Sequence, residues 1–65
     1  MLESQGVVRV IIEKDDEFLV SFAHKDGYFR VDDEILRETL HEAFKKRREI
    51  AFIYYERLEI WSVAA

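Results

Sequence analysis

The sequence predicts an α+β domain: a small, mainly antiparallel β-sheet or barrel that carries one amphipathic helix, in the order β-β-β-α-β-β. Three observations carry this. β-branched and aromatic runs, separated by turn signals, occupy both ends of the chain. One stretch, from about residue 32 to 48, instead spaces its apolar residues as a helix does. The whole is 65 residues without a cysteine. That predicts a single domain over 1–65, with no disulfide or cysteine-held zinc to support a small core.

The first strand is GVVRVIIEK, Gly6 to Lys14, and the second EFLVSFAHK, Glu17 to Lys25. Val8, Val10 and Ile12 form one stripe; Phe18, Val20 and Phe22 form another. A two-residue Asp15-Asp16 loop would set Ile12 opposite Leu19 and split these stripes between faces. An odd-length loop, or a bulge, would unite them, and the odd loop is expected because one face must bury. KDGY is the strongest turn signal, since Asp26-Gly27 suits a type I′ turn. It sets His24 opposite Phe29 and Phe22 opposite Val31. The third strand is then short, about Tyr28 to Val31.

The helix is VDDEILRETLHEAFKKRRE. Asp32 is the expected N-cap, with Asp33 and Glu34 adding negative charge at the positive end of the dipole. Val31 and Leu36 take the two positions of a hydrophobic staple. Leu36, Leu40, Ala43 and Phe44 make the apolar stripe, with Ile35 on its flank; Glu38, His41, Glu42 and Lys45 face away. Two strands follow, EIAFIYY and LEIWSV. A hairpin at Glu56-Arg57 is expected, although Gly, Asn and Pro are missing there. One straight strand of about 14 residues would span roughly 46 Å at ~3.3 Å each, too long for this domain.

With that hairpin, Phe52 opposes Trp61 and Ile53 opposes Ile60. One face carries Ile50, Phe52, Tyr54, Trp61 and Val63; the other carries Ala51, Ile53, Tyr55, Leu58 and Ile60. A sheet apolar on both sides needs two covers. The helix and first hairpin supply one, and either barrel closure or another chain supplies the second.

This element order is that of an OB-fold, a five-stranded Greek-key barrel with its helix between strands three and four. A β-grasp-like arrangement is the alternative, and an open meander under one helix is a third. From Leu36 to Val63, the helix followed by a strand pair resembles the B subunits of pentameric OB-fold toxins. That resemblance implies an OB-fold whose subunits form rings. The family's disulfide and usual secretory context are missing here, and no sugar-binding residue carries over.

Composition bounds the function. The chain is 49% hydrophobic, 14% aromatic and 37% charged, as a folded amphipathic domain is. Net charge is −4, whereas nucleic-acid binders are more often basic. No stretch approaches the ~20 apolar residues of a membrane helix. The start, MLESQGVVRV, lacks the features of a secretory signal, so the expected compartment is the cytoplasm.

Chemistry-bearing motifs are few. Glu38 and His41 form one E-x-x-H pair, which a di-iron protein would need twice with further glutamates; an exposed polar helix face is the simpler reading, and no metal or other cofactor is expected. Asp15, Asp16 and Glu17 read as a solvated hairpin tip. No G-x-S-x-G elbow and no glycine-rich phosphate loop are present, so no enzyme is expected. KKRR, Lys45 to Arg48, is the one basic cluster.

The function expected is that of a non-enzymatic interaction module that homo-oligomerises through Ile50, Phe52, Tyr54, Trp61 and Val63, because aromatics concentrate in interface cores; a protein partner is open beside self-association. The alternative is an OB-like single-stranded nucleic-acid binder using Tyr28, Arg30, Lys45, Lys46, Arg47, Arg48 and Tyr54. A small acidic inhibitor, of the kind found among anti-defence proteins, is the second alternative.

Overall fold

The computed structural model of the chain describes residues 1–64. Its elements follow the expected order: β1 (Leu2–Lys14), β2 (Glu17–Phe22), β3 (Phe29–Arg30), α1 (Glu34–Lys46), β4 (Glu49–Tyr55) and β5 (Glu59–Ala64). The strands close into a barrel in the order β1-β2-β3-β5-β4. All neighbours are antiparallel except β3 and β5, which run parallel at Arg30 and Glu59. The fold is an OB-like α+β barrel. Closure overturns both the β-grasp alternative and the open meander.

β1 begins four residues earlier than expected because one long strand serves two partners. Leu2 to Val7 pair with β4, and Val8 to Lys14 pair with β2. Its first residues carry no β-branched signal of their own; β4 holds them extended.

The β1–β2 hairpin corrects the expected odd-length loop. Lys14 pairs with Glu17, so the loop is the two residues Asp15-Asp16, at φ 48° and 67°. Both are left-handed, as a type I′ turn requires. The face conflict is removed further along. Between Val8↔Phe22 and Val10↔Ser21 the register slips by one, leaving Arg9 as the extra residue of a bulge. Val8 thereby turns inward beside Phe22, fully buried, and Ile11 takes the next inward place opposite Val20. Val10 and Ile12 face out, more than a third exposed.

The connection to β3 is also longer than the Asp26-Gly27 turn alone. Leu19 pairs with Arg30 and Val20 with Phe29, so Phe22 does not pair with Val31 nor His24 with Phe29. The chain turns through left-handed backbone at both His24 (φ 64°) and Gly27 (φ 87°). The slip from the expected register is an even number of residues, which leaves every side chain on its expected face. Phe29 and Val31 therefore still join Phe18, Val20 and Phe22 inside.

α1 starts one residue later than expected. Asp33, not Asp32, is the N-cap; its Oδ1 accepts from the backbone N–H of Ile35 (2.8 Å) and Leu36 (3.1 Å). Leu40 and Ala43 are buried against the barrel, Leu36 and Phe44 half-buried, and Ile35 is left exposed. The core is aromatic. Phe22 and Phe52 stack at 4.3 Å, 10° from parallel, and Phe29 meets both edge-on at 5.4 Å. Burial of each such side chain is worth roughly 1.5–3 kcal/mol, so these three rings supply much of what a small barrel has to offset its ordering entropy.

Candidate functional site

The β4–β5 hairpin is built differently from the tight turn at Glu56-Arg57. Tyr55 pairs with Glu59, so Glu56, Arg57 and Leu58 form a three-residue loop. The Leu58 N–H donates to Tyr55 O at 2.9 Å, and Leu58 itself is left-handed at φ 59°. This is a type I turn closed by a left-handed residue, the common three-residue hairpin. A second irregularity follows. Tyr54 pairs with Ile60 but Ile53 pairs with Ser62, so Trp61 is the extra residue of a bulge.

That bulge divides the expected interface face. Ile50 (3% exposed) and Phe52 (2%) are closed into the core, and Tyr54 and Val63 lie half-buried against it. Phe52 pairs with Val63, not Trp61. Trp61 alone of the five stands clear, 54% exposed. It joins the opposite face, where Ala51, Ile53 and Tyr55 alternate outward with Ser62 and Ala64 paired beside them. Tyr55 is 39% exposed. These six outward positions carry no charge, but Glu49 and Glu59 flank them on the same rows, and a 150 Å³ hollow among Ala51, Ile53, Ser62 and Ala64 is also lined by Glu3 of β1. Nothing in simple alternation reports a bulge, which is why alternation sets Trp61 on one face with Ile50 and Phe52.

Beside this surface a groove of about 270 Å³ runs between the start of α1 and β5. Tyr55 and Trp61 wall it, and Asp32, Asp33 and Glu59 line it. Arg30 stands at its edge, donating from Nη2 to Glu59 Oε2 at 3.1 Å, with Asp32 Oδ1 3.9 Å from its Nε. The hydrogen bond to Glu59, then the charge of Asp32, raise the Arg30 pKa above its ordinary value.

The residues expected for nucleic acid do not come together. Tyr28 and Arg30 are exposed on the barrel wall, and Arg30 is engaged by carboxylates. Tyr54 is half-buried, its ring edge-on to Phe29 at 5.1 Å. Lys45, Lys46, Arg47 and Arg48 are exposed at the far end of α1. Thirteen helical residues at ~1.5 Å each separate the two ends of α1 by roughly 20 Å.

A larger cleft, about 420 Å³, lies between the β1–β2 turn and α1. Its side chains explain how the helix is held. Arg37 donates from Nε to Val31 O (2.9 Å) and from Nη2 to Asp16 O (3.1 Å), with its guanidinium over the Phe18 ring. His41 meets Phe18 edge-on at 5.3 Å and hydrogen-bonds Glu13. His41 is exposed on that helix face together with Glu38, as expected, and its partner comes from β1, which the helix sequence alone could not reveal. Among the described residues no three His, Asp or Glu side chains are grouped to hold a metal ion. No described helix is long and apolar enough to cross a membrane.

No protein-family model matches the chain, and no curated protein matches it. Among solved structures it is similar to a crystal structure of the A47Q2 mutant of pro-protein-glutaminase, with a TM-score of 0.82 over 94% of this chain at 20% sequence identity. The match spans 24% of that protein's chain, so this barrel corresponds in length to about a quarter of it. At that identity the likeness shows a shared fold: the same small barrel occurs as one part of a longer protein.

Proposed function

We propose that the chain is a non-enzymatic binding module that self-associates through the outer face of its C-terminal hairpin. The observation that carries this reading is the run of six uncharged outward positions on β4 and β5 between Glu49 and Glu59, with Trp61 lifted onto it by a bulge. A tryptophan costs less to bury between two chains than to leave in water, and Trp and Tyr are the side chains most often found at the energetic centres of interfaces. The absence of enzymatic activity is read from the sequence, which has no nucleophile elbow and no phosphate-binding loop. The protein-glutaminase likeness carries no activity across at 20% identity. The cytoplasm is the proposed setting, on the lack of cysteine.

Trp61→Glu tests it. The position is exposed, so the variant stays folded by circular dichroism, and a charge in a dehydrating surface weakens association at least about tenfold, ~1.4 kcal/mol. Sedimentation equilibrium should show a smaller species than the wild type at the same concentration. A folded variant of unchanged mass would remove the reading.

A second reading, a small acidic inhibitor, is favoured by one observation: the similar structure is named as a pro-form, pro-protein-glutaminase. The net charge of −4 suits a domain that covers a basic surface. A stoichiometric complex with an enzyme, in which the enzyme loses activity, would establish this reading over the first. The nucleic-acid reading has less support, because its cations lie at both ends of α1.

A further inference from the structure

The groove beside α1 combines aromatic walls with carboxylates. Tyr55 and Trp61 offer ring faces, and Asp32, Asp33 and Glu59 offer negative charge. Three carboxylates against the single guanidinium of Arg30 leave two negative charges there. Such a groove is complementary to an ammonium or guanidinium group, which aromatic faces attract when it is partly dehydrated. Arg30 already holds Glu59, and Asp33 caps the helix through Oδ1. The carboxylate with most room to receive a new cation is Asp32, which lies 3.9 Å from Arg30 Nε at the edge of ion-pair range and whose side chain is 67% exposed.

The chain carries surplus cations of its own. The C-terminus of a helix presents about half an elementary negative charge, yet Lys45, Lys46, Arg47 and Arg48 all stand there. Lys46 is paired with Glu42 at 3.5 Å, and Arg47 lies over Phe44 at 5.7 Å. Lys45 and Arg48 have no ion-pair partner among the described residues. They stand roughly 20 Å along α1 from the groove at its start, so the groove of the same copy is out of reach.

We infer that the groove of one copy receives Lys45 or Arg48 of a second copy, the cation lying on Trp61 and Tyr55 and against Asp32. This rests on the self-association proposed above and makes it head-to-tail: each copy offers one groove and one basic helix end. A head-to-tail contact is heterologous, so it either closes into a ring or grows as a chain. It also provides local attraction in a molecule whose net charge of −4 opposes assembly.

Complementation tests it. Asp32→Lys disables the groove and leaves the helix end intact; Lys45→Glu with Arg48→Glu does the reverse. All three positions are exposed, so the core is untouched. At a concentration where the wild type associates, each variant alone should sediment as a monomer, its affinity down at least about tenfold. An equal mixture should recover a dimer and stop there, since only one productive contact remains. If the helix-end variant assembles as the wild type does, head-to-tail docking is overturned and self-association stands. If the mixture stays monomeric, docking is overturned as well. If the wild type is monomeric at every concentration, the underlying reading fails.

Discussion

Phe52 and Trp61 are the pair whose fates separate most sharply, and truncating each to alanine measures the separation. Phe52 is 2% exposed, stacked on Phe22 at 4.3 Å and met edge-on by Phe29 at 5.4 Å. Phe52→Ala loses its burial and leaves a cavity, which together cost ~3–5 kcal/mol; the lost ring pairs place it toward the upper end. A 65-residue domain holds only ~3–10 kcal/mol in total, at ~0.05–0.15 kcal/mol per residue. Phe52→Ala should therefore remove most of the stability or abolish folding. Trp61→Ala should fall within about 0.5 kcal/mol, as exposed positions do. Phe52→Leu, at an intermediate cost, keeps the comparison measurable if alanine unfolds the chain. The assay is urea denaturation followed by circular dichroism, at a dilution where the midpoint no longer depends on concentration, so that assembly does not add to stability. Equal losses at Phe52 and Trp61 would refute the bulge and restore the register in which the two face each other.

The other bulge, the helix cap and the buried Ser21 give three further outcomes. Deleting Arg9 removes the extra residue but keeps Val8 inward opposite Phe22 and Val10 outward opposite Ser21, so the deletion should still fold with a lowered urea midpoint as the barrel loses that bend, whereas Arg9→Ala should shift the midpoint little. Asp33→Ala removes the acceptor for two helix N–H groups and should cost ~1 kcal/mol, while Asp32→Ala should cost less; melting temperatures of the two distinguish them. Ser21 is 1% exposed and its Oγ has no hydrogen-bond partner among the described residues; Ser21→Ala removes that hydroxyl and should raise the midpoint, by roughly 1 kcal/mol.

What was legible in the sequence is what local periodicity encodes. β4 runs from Glu49 to Tyr55 as read, and the helix stripe of Leu40 and Ala43 is the buried one. The order of elements pointed to the OB-like barrel but left the β-grasp arrangement open until the pairing of β3 with β5 closed the sheet. What escaped was set by single residues inserted between paired strands. Arg9 and Trp61 look like ordinary strand residues, and a bulge is decided by the partner strand and the curvature of a closed barrel. The β2–β3 loop escaped for a related reason: Asp26-Gly27 is a good tight turn, but barrel closure needed a wider one, and His24 took the left-handed backbone that made it. Of the five residues read as one exposed face, Ile50 and Phe52 are buried, Tyr54 and Val63 half-buried, and Trp61 alone is exposed. Alternation places Ile50, Phe52 and Tyr54 correctly on one face; the bulge then transfers Trp61 to the other. The groove was invisible because Asp32 and Trp61 meet only through the parallel contact of β3 and β5.

Trp61 is the chain's single tryptophan, so acrylamide quenching of its fluorescence across a dilution series reports both its placement and its burial by a second copy. The account predicts ready quenching in dilute solution and progressive protection as concentration rises. Protection that persists at the highest dilution would place Trp61 inside the barrel, and ready quenching at every concentration would leave the hairpin face uncovered; either result would contradict it.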